Sequence, residues 1–163
     1  MTDPKAEAAL AEAVTKAAGL PRAFAVHADP AAPPSAEQEP LPAALQRKPV
    51  AEKSAAEWAY ERIILYIRNF ENQLDATQEI ALGFAGSDAG VLKIEGLGFF
   101  EPDLITFYGR DENGTKTQLI QHVAQLSVML RAVLKSEPAE PPTRIGFRLA
   151  TGWTGGESGD GSV

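Results

Sequence analysis

Bulky apolar residues recur at helical spacing after Ser54. Successive members of this series are three or four positions apart, which places them on one face of an α-helix. The series is Tyr60, Ile63, Ile67, Phe70 and Leu74. Ser54 and Glu57 precede it with the spacing of a capping box, in which each side chain satisfies a free main-chain amide of the first turn. The pattern predicts a long helix whose apolar stripe packs against a core.

Strict alternation of apolar and polar residues replaces the helical period after residue 79, and this alternation is typical of half-buried β-strands. Three strands are predicted: one through Ile80, Leu82 and Phe84, one through Leu92 and Ile94, and one over residues 104–108. The glycine-rich residues 86–90 form the hairpin loop between the first two strands. We interpret residues 96–103 as an irregular connection and residues 111–114 as a turn.

The helical period returns after Thr117, which can cap a second helix. The stripe of this predicted helix is Leu119, Val123, Leu126, Leu130 and Val133. Beyond a proline-rich stretch, alternation over residues 144–149 predicts a last strand with Phe147 in the core. The expected fold class is therefore α+β, in the order α-β-β-β-α-β, with an antiparallel sheet and both helices packed on one of its faces.

Bulky apolar residues are scarce at both ends of the chain. Residues 1–50 are rich in alanine and proline, so we expect a disordered extension, with a short helix over residues 5–18. Residues 51–150 form the predicted α+β domain. Residues 151–163 are rich in glycine and serine and are predicted to be a disordered tail.

The charge balance narrows the classes of partner. The formal net charge is −7, and the lysines and arginines are interspersed with carboxylates. Because binding to nucleic acid or to an anionic membrane needs clustered basic residues, we expect neither as a partner. The sequence has no cysteine, and its first residues lack the pattern of a secretion signal. These features predict a cytoplasmic protein without a cofactor.

Several short motifs resemble those of a bacterial domain family of unknown function. They are Trp58 with Glu61 and Arg62, residues 103–105 followed by Phe107, residues 119–122 with Gln125 and Leu126, and residues 144–147. The resemblance covers about sixty per cent of the chain. It implies an α+β domain with a variable N-terminal extension, and it implies no catalytic or binding residues.

Candidate chemistry is sparse. Residues 109–117 approach a phosphate-binding loop, but Thr115 is inserted before the lysine, and Asp111 and Glu112 would repel phosphate. The acid pairs at positions 101 and 103, and at 111 and 112, lie in predicted turns, where exposed carboxylates are ordinary. A polar strip of Gln118, His122 and Gln125 on the second predicted helix is a candidate binding site, although a lone histidine cannot form a metal site. The simpler interpretation is that this strip makes structural hydrogen bonds.

Trp58 and Leu65 form a second apolar side of the first predicted helix, opposite its stripe. Either the N-terminal segment folds back over them, or Trp58 caps the edge of the domain, or the two residues form an interaction surface. The favoured function is a non-enzymatic protein-interaction or adaptor domain that binds a protein partner or forms a homodimer. The alternative is a small-ligand-binding protein or an enzyme that uses the strip of Gln118, His122 and Gln125.

Overall fold

The computed structural model describes residues 3–17, 19–88 and 90–155. The chain divides into two compact units, Met1–Lys53 and Ser54–Val163. Most of the predicted disordered tail, residues 156–163, lies outside the described residues. The described part of the tail includes a short helix, Gly152–Gly155.

The first unit consists of short helical segments joined by extended chain. They are α1 (Pro4–Ala17), a 3-10 turn (Ala36–Gln38), α2 (Ala43–Gln46) and a second 3-10 turn (Val50–Glu52). Near its end the ammonium group of Lys53 donates a hydrogen bond of 2.8 Å to the carbonyl oxygen of Leu45. This bond fixes the chain between α2 and the end of the unit.

The second unit opens with the predicted long helix, α3 (Ala55–Asn72). Ser54 is its N-cap, and the Ser54 hydroxyl oxygen accepts a hydrogen bond of 3.2 Å from the main-chain N–H of Glu57. Because this bond satisfies an amide that has no partner within the helix, it fixes the start of α3. The predicted stripe faces the core: Ile67 is fully buried, and the other members of the series pack around it.

An antiparallel sheet of five strands follows in the described part of the unit, with the strand order β4-β3-β2-β1-β5. The strands are β1 (Gln78–Phe84), β2 (Val91–Phe100), β3 (Leu104–Arg110), β4 (Lys116–His122) and β5 (Val128–Leu134). The first three lie where alternation predicted them. However, β2 continues through the predicted irregular connection, with a register shift between Ile94 and Gly96. The predicted hairpin loop joins β1 to β2, and its residue Ala89 lies outside the described residues.

The second helix predicted from Thr117 is wrong, because that part of the chain forms β4, a 3-10 turn (Val123–Gln125) and β5. Two strands of period two are separated there by a turn whose length brings their core-facing residues into an apparent helical series. Leu119, Val123, Leu126 and Leu130 do pack against the core, as expected, but from strands and the turn. Consequently β4 lies at one edge of the sheet and β5 at the other.

The predicted last strand is also wrong, because α4 (Gly146–Ala150) replaces it. Ile145 and Leu149, four positions apart, pack against the core from this short helix. Phe147 points away and is 76% exposed, so its assignment to the core is corrected. The predicted order α-β-β-β-α-β therefore fails in its second half, whereas the α+β class with an antiparallel sheet is confirmed.

The segment around α4 is held on α3 by a buried carboxylate. Glu71 is 5% exposed, and its two carboxylate oxygens accept hydrogen bonds from the main-chain N–H groups of Gly146 (2.7 Å) and Ile145 (2.9 Å). A Cβ at Gly146 would lie 2.6 Å from Cγ of Arg68 and 2.8 Å from Oε1 of Glu71. Since these distances are too short for a side chain, only glycine allows this approach.

The core lies between α3 and one face of the sheet, called here the inner face. Its largest fully buried side chains include Phe107, Ile105 and Leu82 from the strands and Ile67 from the helix. The other face of β2, β3 and β4, the outer face, presents the exposed members of each alternating pattern. Among the described residues, no helix is long and apolar enough to cross a membrane.

Candidate functional site

The outer face of β2, β3 and β4 is organised into rows of directly opposite residues, whose side chains share a face in an antiparallel sheet. The first row is Gly96, Tyr108 and Gln118; the second is Gly98, Thr106 and Ile120; the third is Phe100, Leu104 and His122. The β2 positions of the first two rows are glycines, so these rows have no side chain on that strand.

Tyr108 lies across this gap. A Cβ at Gly96 would be 3.4 Å from Cδ2 of the Tyr108 ring, and a Cβ at Gly98 would be 3.7 Å from its Cε2. These distances place one side of the ring against the two glycines. The rest of the Tyr108 side chain remains exposed on the outer face. The absence of side chains at Gly96 and Gly98 therefore allows the aromatic ring to lie along the sheet.

Each of these three rows carries one large apolar side chain that is exposed. These side chains are Phe100, which is 73% exposed, Ile120, which is 59% exposed, and Tyr108, which is 43% exposed. We call these three residues the outer-face patch. The apolar surface of these side chains is not buried within the chain. Apolar residues that are exposed as a group mark interaction sites more often than residues exposed singly.

A polar cluster adjoins the patch at the end of β4. His122 Nε2 is 3.1 Å from Oδ2 of Asp103, and Nδ1 of the same ring accepts a hydrogen bond of 3.0 Å from the main-chain N–H of Ala124. Because Nδ1 accepts, the tautomer that satisfies both contacts carries its proton on Nε2 and donates it to Asp103. The side-chain oxygen of Gln125 accepts from the main-chain N–H of His122 at 3.1 Å.

The structure thus brings together two members of the predicted polar strip, His122 and Gln125, but on a strand end and a 3-10 turn rather than on a helix. Gln118 lies on the same outer face, four residues earlier on β4, and makes no hydrogen bond with either of them in the described chain. Both ring nitrogens of His122 are engaged within the chain, so this arrangement resembles a structural cap more than a catalytic pair. Within residues 3–17, 19–88 and 90–155, no three metal-ligating side chains are grouped.

The loop that approached a phosphate-binding motif joins β3 to β4. The carboxylate of Asp111 accepts hydrogen bonds of 2.9 Å from the main-chain N–H groups of Asn113 and Thr115, and Gly114 has a φ of 79°. A carboxylate occupies the amides that a phosphate would need, and a strand follows the loop instead of a helix N-terminus. The loop is an aspartate-stabilised hairpin turn.

Trp58 and Leu65, the predicted interaction surface, lie on α3 with limited exposure. Trp58 is 8% exposed, and the guanidinium carbon of Arg62 lies 4.6 Å from the centre of its indole ring. Leu65 is half-buried. As the chain is folded here, these two side chains therefore offer less apolar surface than the outer-face patch does.

Sequence reasoning missed the outer-face patch. The sequence pattern predicts an irregular connection at Phe100 and a helix at Ile120, so periodicity does not reveal that the two residues share a face. One available signal was the run Gly96, Leu97, Gly98 and Phe99, because glycines at alternate positions of a strand leave space for a neighbouring ring.

Comparison with known proteins identifies a family for most of the second unit. Residues 48–148 match the model of a family described as "Family of unknown function (DUF6173)". No curated protein and no solved structure matches the chain. The matched residues cover more than half of the chain, from the end of the first unit through the sheet to α4. The chain therefore belongs to this family of unknown function.

Proposed function

We propose that the second unit is a non-enzymatic protein-binding domain whose contact surface is the outer-face patch. The observation that carries this proposal is the exposure of Phe100, Tyr108 and Ile120 on adjacent rows of one sheet face. Aromatic residues at the centre of an interface contribute much of its binding energy, because they bury a large area with few rotatable bonds.

The surroundings of the patch favour a polypeptide partner. His122 and Gln118 border the apolar residues on β4, which gives an apolar centre with a polar rim. At the other end of this face, the guanidinium of Arg110 is 2.9 Å from the carboxylate of Glu95, so the charges there are already paired. A partner that offers apolar side chains and a few hydrogen-bonding groups fits this surface better than a highly charged one.

The alternative function, binding or conversion of a small molecule by Gln118, His122 and Gln125, has less support. The ring nitrogens and main-chain N–H of His122 and the side-chain oxygen of Gln125 are used in hydrogen bonds to each other, to Asp103 and to Ala124. A substrate would have to displace these bonds. We also propose the bacterial cytoplasm as the setting, which cell fractionation of the source organism would test.

The decisive comparison is between Phe100→Lys and Phe147→Lys. The two phenylalanines are exposed to nearly the same extent, 73% and 76%, but Phe147 lies on α4, outside the patch. We expect Phe100→Lys to lose at least about tenfold in affinity for a partner captured by the full chain, which corresponds to about 1.4 kcal/mol or more. Phe147→Lys should bind as the unchanged chain does.

Partner capture is measured by affinity purification with cross-linking, and the affinity by calorimetry with the purified partner. Circular dichroism checks that both variants are folded. Equal loss in the two variants, or retention in both, would contradict the patch as the contact surface. A variant at the other predicted surface, Trp58→Glu, separates the two sites: selective loss there with the fold intact would favour Trp58 and Leu65.

A further inference from the structure

The edge strand β4 carries no charged residue between Lys116 and the end of the strand. Its sequence from position 117 is Thr-Gln-Leu-Ile-Gln-His, without proline or glycine. In the described part of the chain, β4 pairs with β3 on one side, and the other side of β4 forms an edge of the sheet. Proteins usually protect such edges with charges, prolines or bulges, because an exposed ladder of main-chain groups pairs readily with another strand.

The hydrogen-bonding phase of β4 is fixed by bonds at both ends of its ladder with β3. Near the turn, the N–H of Asp111 donates to the carbonyl oxygen of Thr115 (3.0 Å), and at the far end the N–H of Val123 donates to that of Asp103 (2.8 Å). Bonded and non-bonded pairs alternate along an antiparallel ladder. The odd-numbered residues of β4 therefore direct their main-chain groups to β3, and the even-numbered residues direct theirs outward: Lys116, Gln118, Ile120 and His122.

The outward N–H of His122 is already occupied, because it donates to the side chain of Gln125. This bond marks the end of the edge that another strand could use. Within the described chain, the outward N–H groups of Lys116, Gln118 and Ile120 donate no hydrogen bond, and their side chains are exposed. The edge is thus short, defined at both ends and uncharged at its centre.

We propose that two copies of this chain associate through their β4 strands, antiparallel, around a two-fold axis at Leu119. In this register Gln118 of one copy lies opposite Ile120 of the other, and the outward main-chain groups exchange about six hydrogen bonds. The two sheets become one, and the two outer-face patches lie on the same side of it. The association does not depend on whether the patch binds a further partner.

Charge favours this register. Lys116 lies opposite His122 of the second copy, and the His122 ring of each copy contacts the carboxylate of Asp103. Each lysine therefore comes close to a carboxylate of the other copy, although the chain as a whole carries a net charge of −7. The two-fold axis forms this pair twice.

The contacts on the inner face also favour this register. Leu119 meets Leu119 of the second copy, and Gln121 lies opposite Thr117. The side-chain oxygen of Gln121 is buried and has no hydrogen-bond partner among the described residues. The Thr117 hydroxyl of the second copy donates to the carbonyl oxygen of Thr115 in its own chain (3.0 Å). It would lie beside the Gln121 oxygen and would donate to it after rotation of its O–H bond. A register centred one residue earlier would lose both this contact and the pairing of Lys116 with Asp103.

The other edge strand, β5, differs from β4 because it carries charged residues. Arg131 is exposed at its centre, and Lys135 follows its end. Charged residues of this kind oppose pairing with another strand. The contrast makes β4 the edge that is open to association, and it supplies a matched control.

The first test measures the mass of the full chain in solution by light scattering and sedimentation, at a concentration of roughly tens of micromolar. We expect twice the 17.4 kDa of one chain. Gln118→Pro removes an outward N–H without touching the ladder to β3, and should give a monomer. Ala132→Pro removes the equivalent outward N–H from β5, whose bonds to β1 come from its odd-numbered residues, and should remain a dimer. A monomeric unchanged chain, or a dimeric Gln118→Pro variant, would overturn the proposal.

The second test fixes the register and does not depend on a proline variant. Since the chain has no cysteine, a single introduced thiol can form a disulfide only with its counterpart in a second copy. Leu119→Cys should oxidise to a covalent dimer, because residues facing each other in a non-bonded antiparallel pair have Cα atoms about 4.5 Å apart. Gln118→Cys should cross-link at least about tenfold more slowly, and preferential cross-linking at position 118 would overturn the two-fold axis at Leu119. Neither readout involves partner capture, so this proposal and the proposed function can fail separately.

Discussion

Ile67 and Phe147 illustrate how far a single position can be predicted. Both were expected in the core, but Ile67 is fully buried and Phe147 is 76% exposed. Ile67 belongs to a series of five apolar residues with one period, so its direction is determined many times over. Phe147 belongs to a run of only three alternating apolar residues, which a short helix with Ile145 and Leu149 inside satisfies equally well.

Ile67→Ala should therefore lower the free energy of unfolding by about 2–5 kcal/mol, because it leaves a cavity between α3 and the sheet. Phe147→Ala should change it by less than about 0.5 kcal/mol, as expected for an exposed side chain. Urea unfolding followed by circular dichroism measures both values. Similar losses for the two variants would show that Phe147 is buried in solution.

Tyr60 gives the domain a dependence on alkaline pH. Burial, and to a smaller extent the carboxylate of Glu61, raises the pKa of Tyr60 above its ordinary value of 10.0. Its ring packs against that of Phe99, with 4.9 Å between the ring centres. The folded chain therefore favours the neutral phenol more strongly than the unfolded chain does.

This raised pKa contributes stability that is fully present below the unfolded pKa and is lost as the pH rises through the folded one. Thermal unfolding from about pH 9 to about pH 12 should show a falling melting temperature, and Tyr60→Phe should make the fall shallower. A variant with the same slope as the unchanged chain would show that Tyr60 is not the group responsible.

At the scale of elements, the sequence predicted α3 and the first three strands but failed beyond β3. The helix was identifiable because its period extends over many residues and its start carries a capping serine. The prediction for residues 117–133 was wrong because the turn between β4 and β5 gives the apolar residues a helical spacing. Composition pointed to the correct answer, since Thr117, Ile120, Val123, Val128 and Val133 are β-branched and favour strands.

The position of α4 could not be predicted, because it depends on a carboxylate far away in the sequence. Glu71 accepts two main-chain hydrogen bonds from residues 145 and 146. Arg144 adds hydrogen bonds to the carbonyl oxygens of Gln78 (2.6 Å) and Asp75 (2.9 Å). No periodicity within residues 144–149 contains this information.

Glu71→Gln should destabilise the domain by about 1–3 kcal/mol, since the amide places an N–H donor where a main-chain N–H needs an acceptor. In the Glu71→Gln variant, the amides of Ile145 and Gly146 should exchange hydrogen faster than they do in the unchanged chain, whereas the amides in the centre of the sheet should not. Asn72→Asp, an exposed change on the same helix, is the control and should leave exchange at α4 unchanged. Unaltered exchange in Glu71→Gln would remove this carboxylate as the anchor.

The candidate site was predictable only in part, for the same reason. His122 and Gln125 were recognised as polar residues that belong together, and they do interact, but through a turn rather than along a helix. The patch needed the register of β2, β3 and β4, which pairs residues distant in sequence. Such pairing depends on the whole sheet and not on any local pattern.

For the whole molecule, the division of the chain after Lys53 suggests which part folds independently. The core cluster, the sheet and α3 all lie within the second unit. We expect a chain that begins at Ser54 to unfold cooperatively, with a free energy of unfolding within about 1 kcal/mol of that of the full chain. Limited proteolysis should leave a resistant fragment that starts near the same residue. Loss of the cooperative transition on truncation would show that the first unit is needed for folding.

The pairing of β1 with β5 also bears on the synthesis of the protein. Gln78 pairs with Leu134, and Glu71 accepts a hydrogen bond from Gly146, so β1 and α3 meet partners that leave the ribosome long after they do. During this interval the apolar side of β1 remains uncovered on the nascent chain. The domain can close only when almost all of it has emerged, and molecular chaperones that bind exposed strands have that interval in which to act.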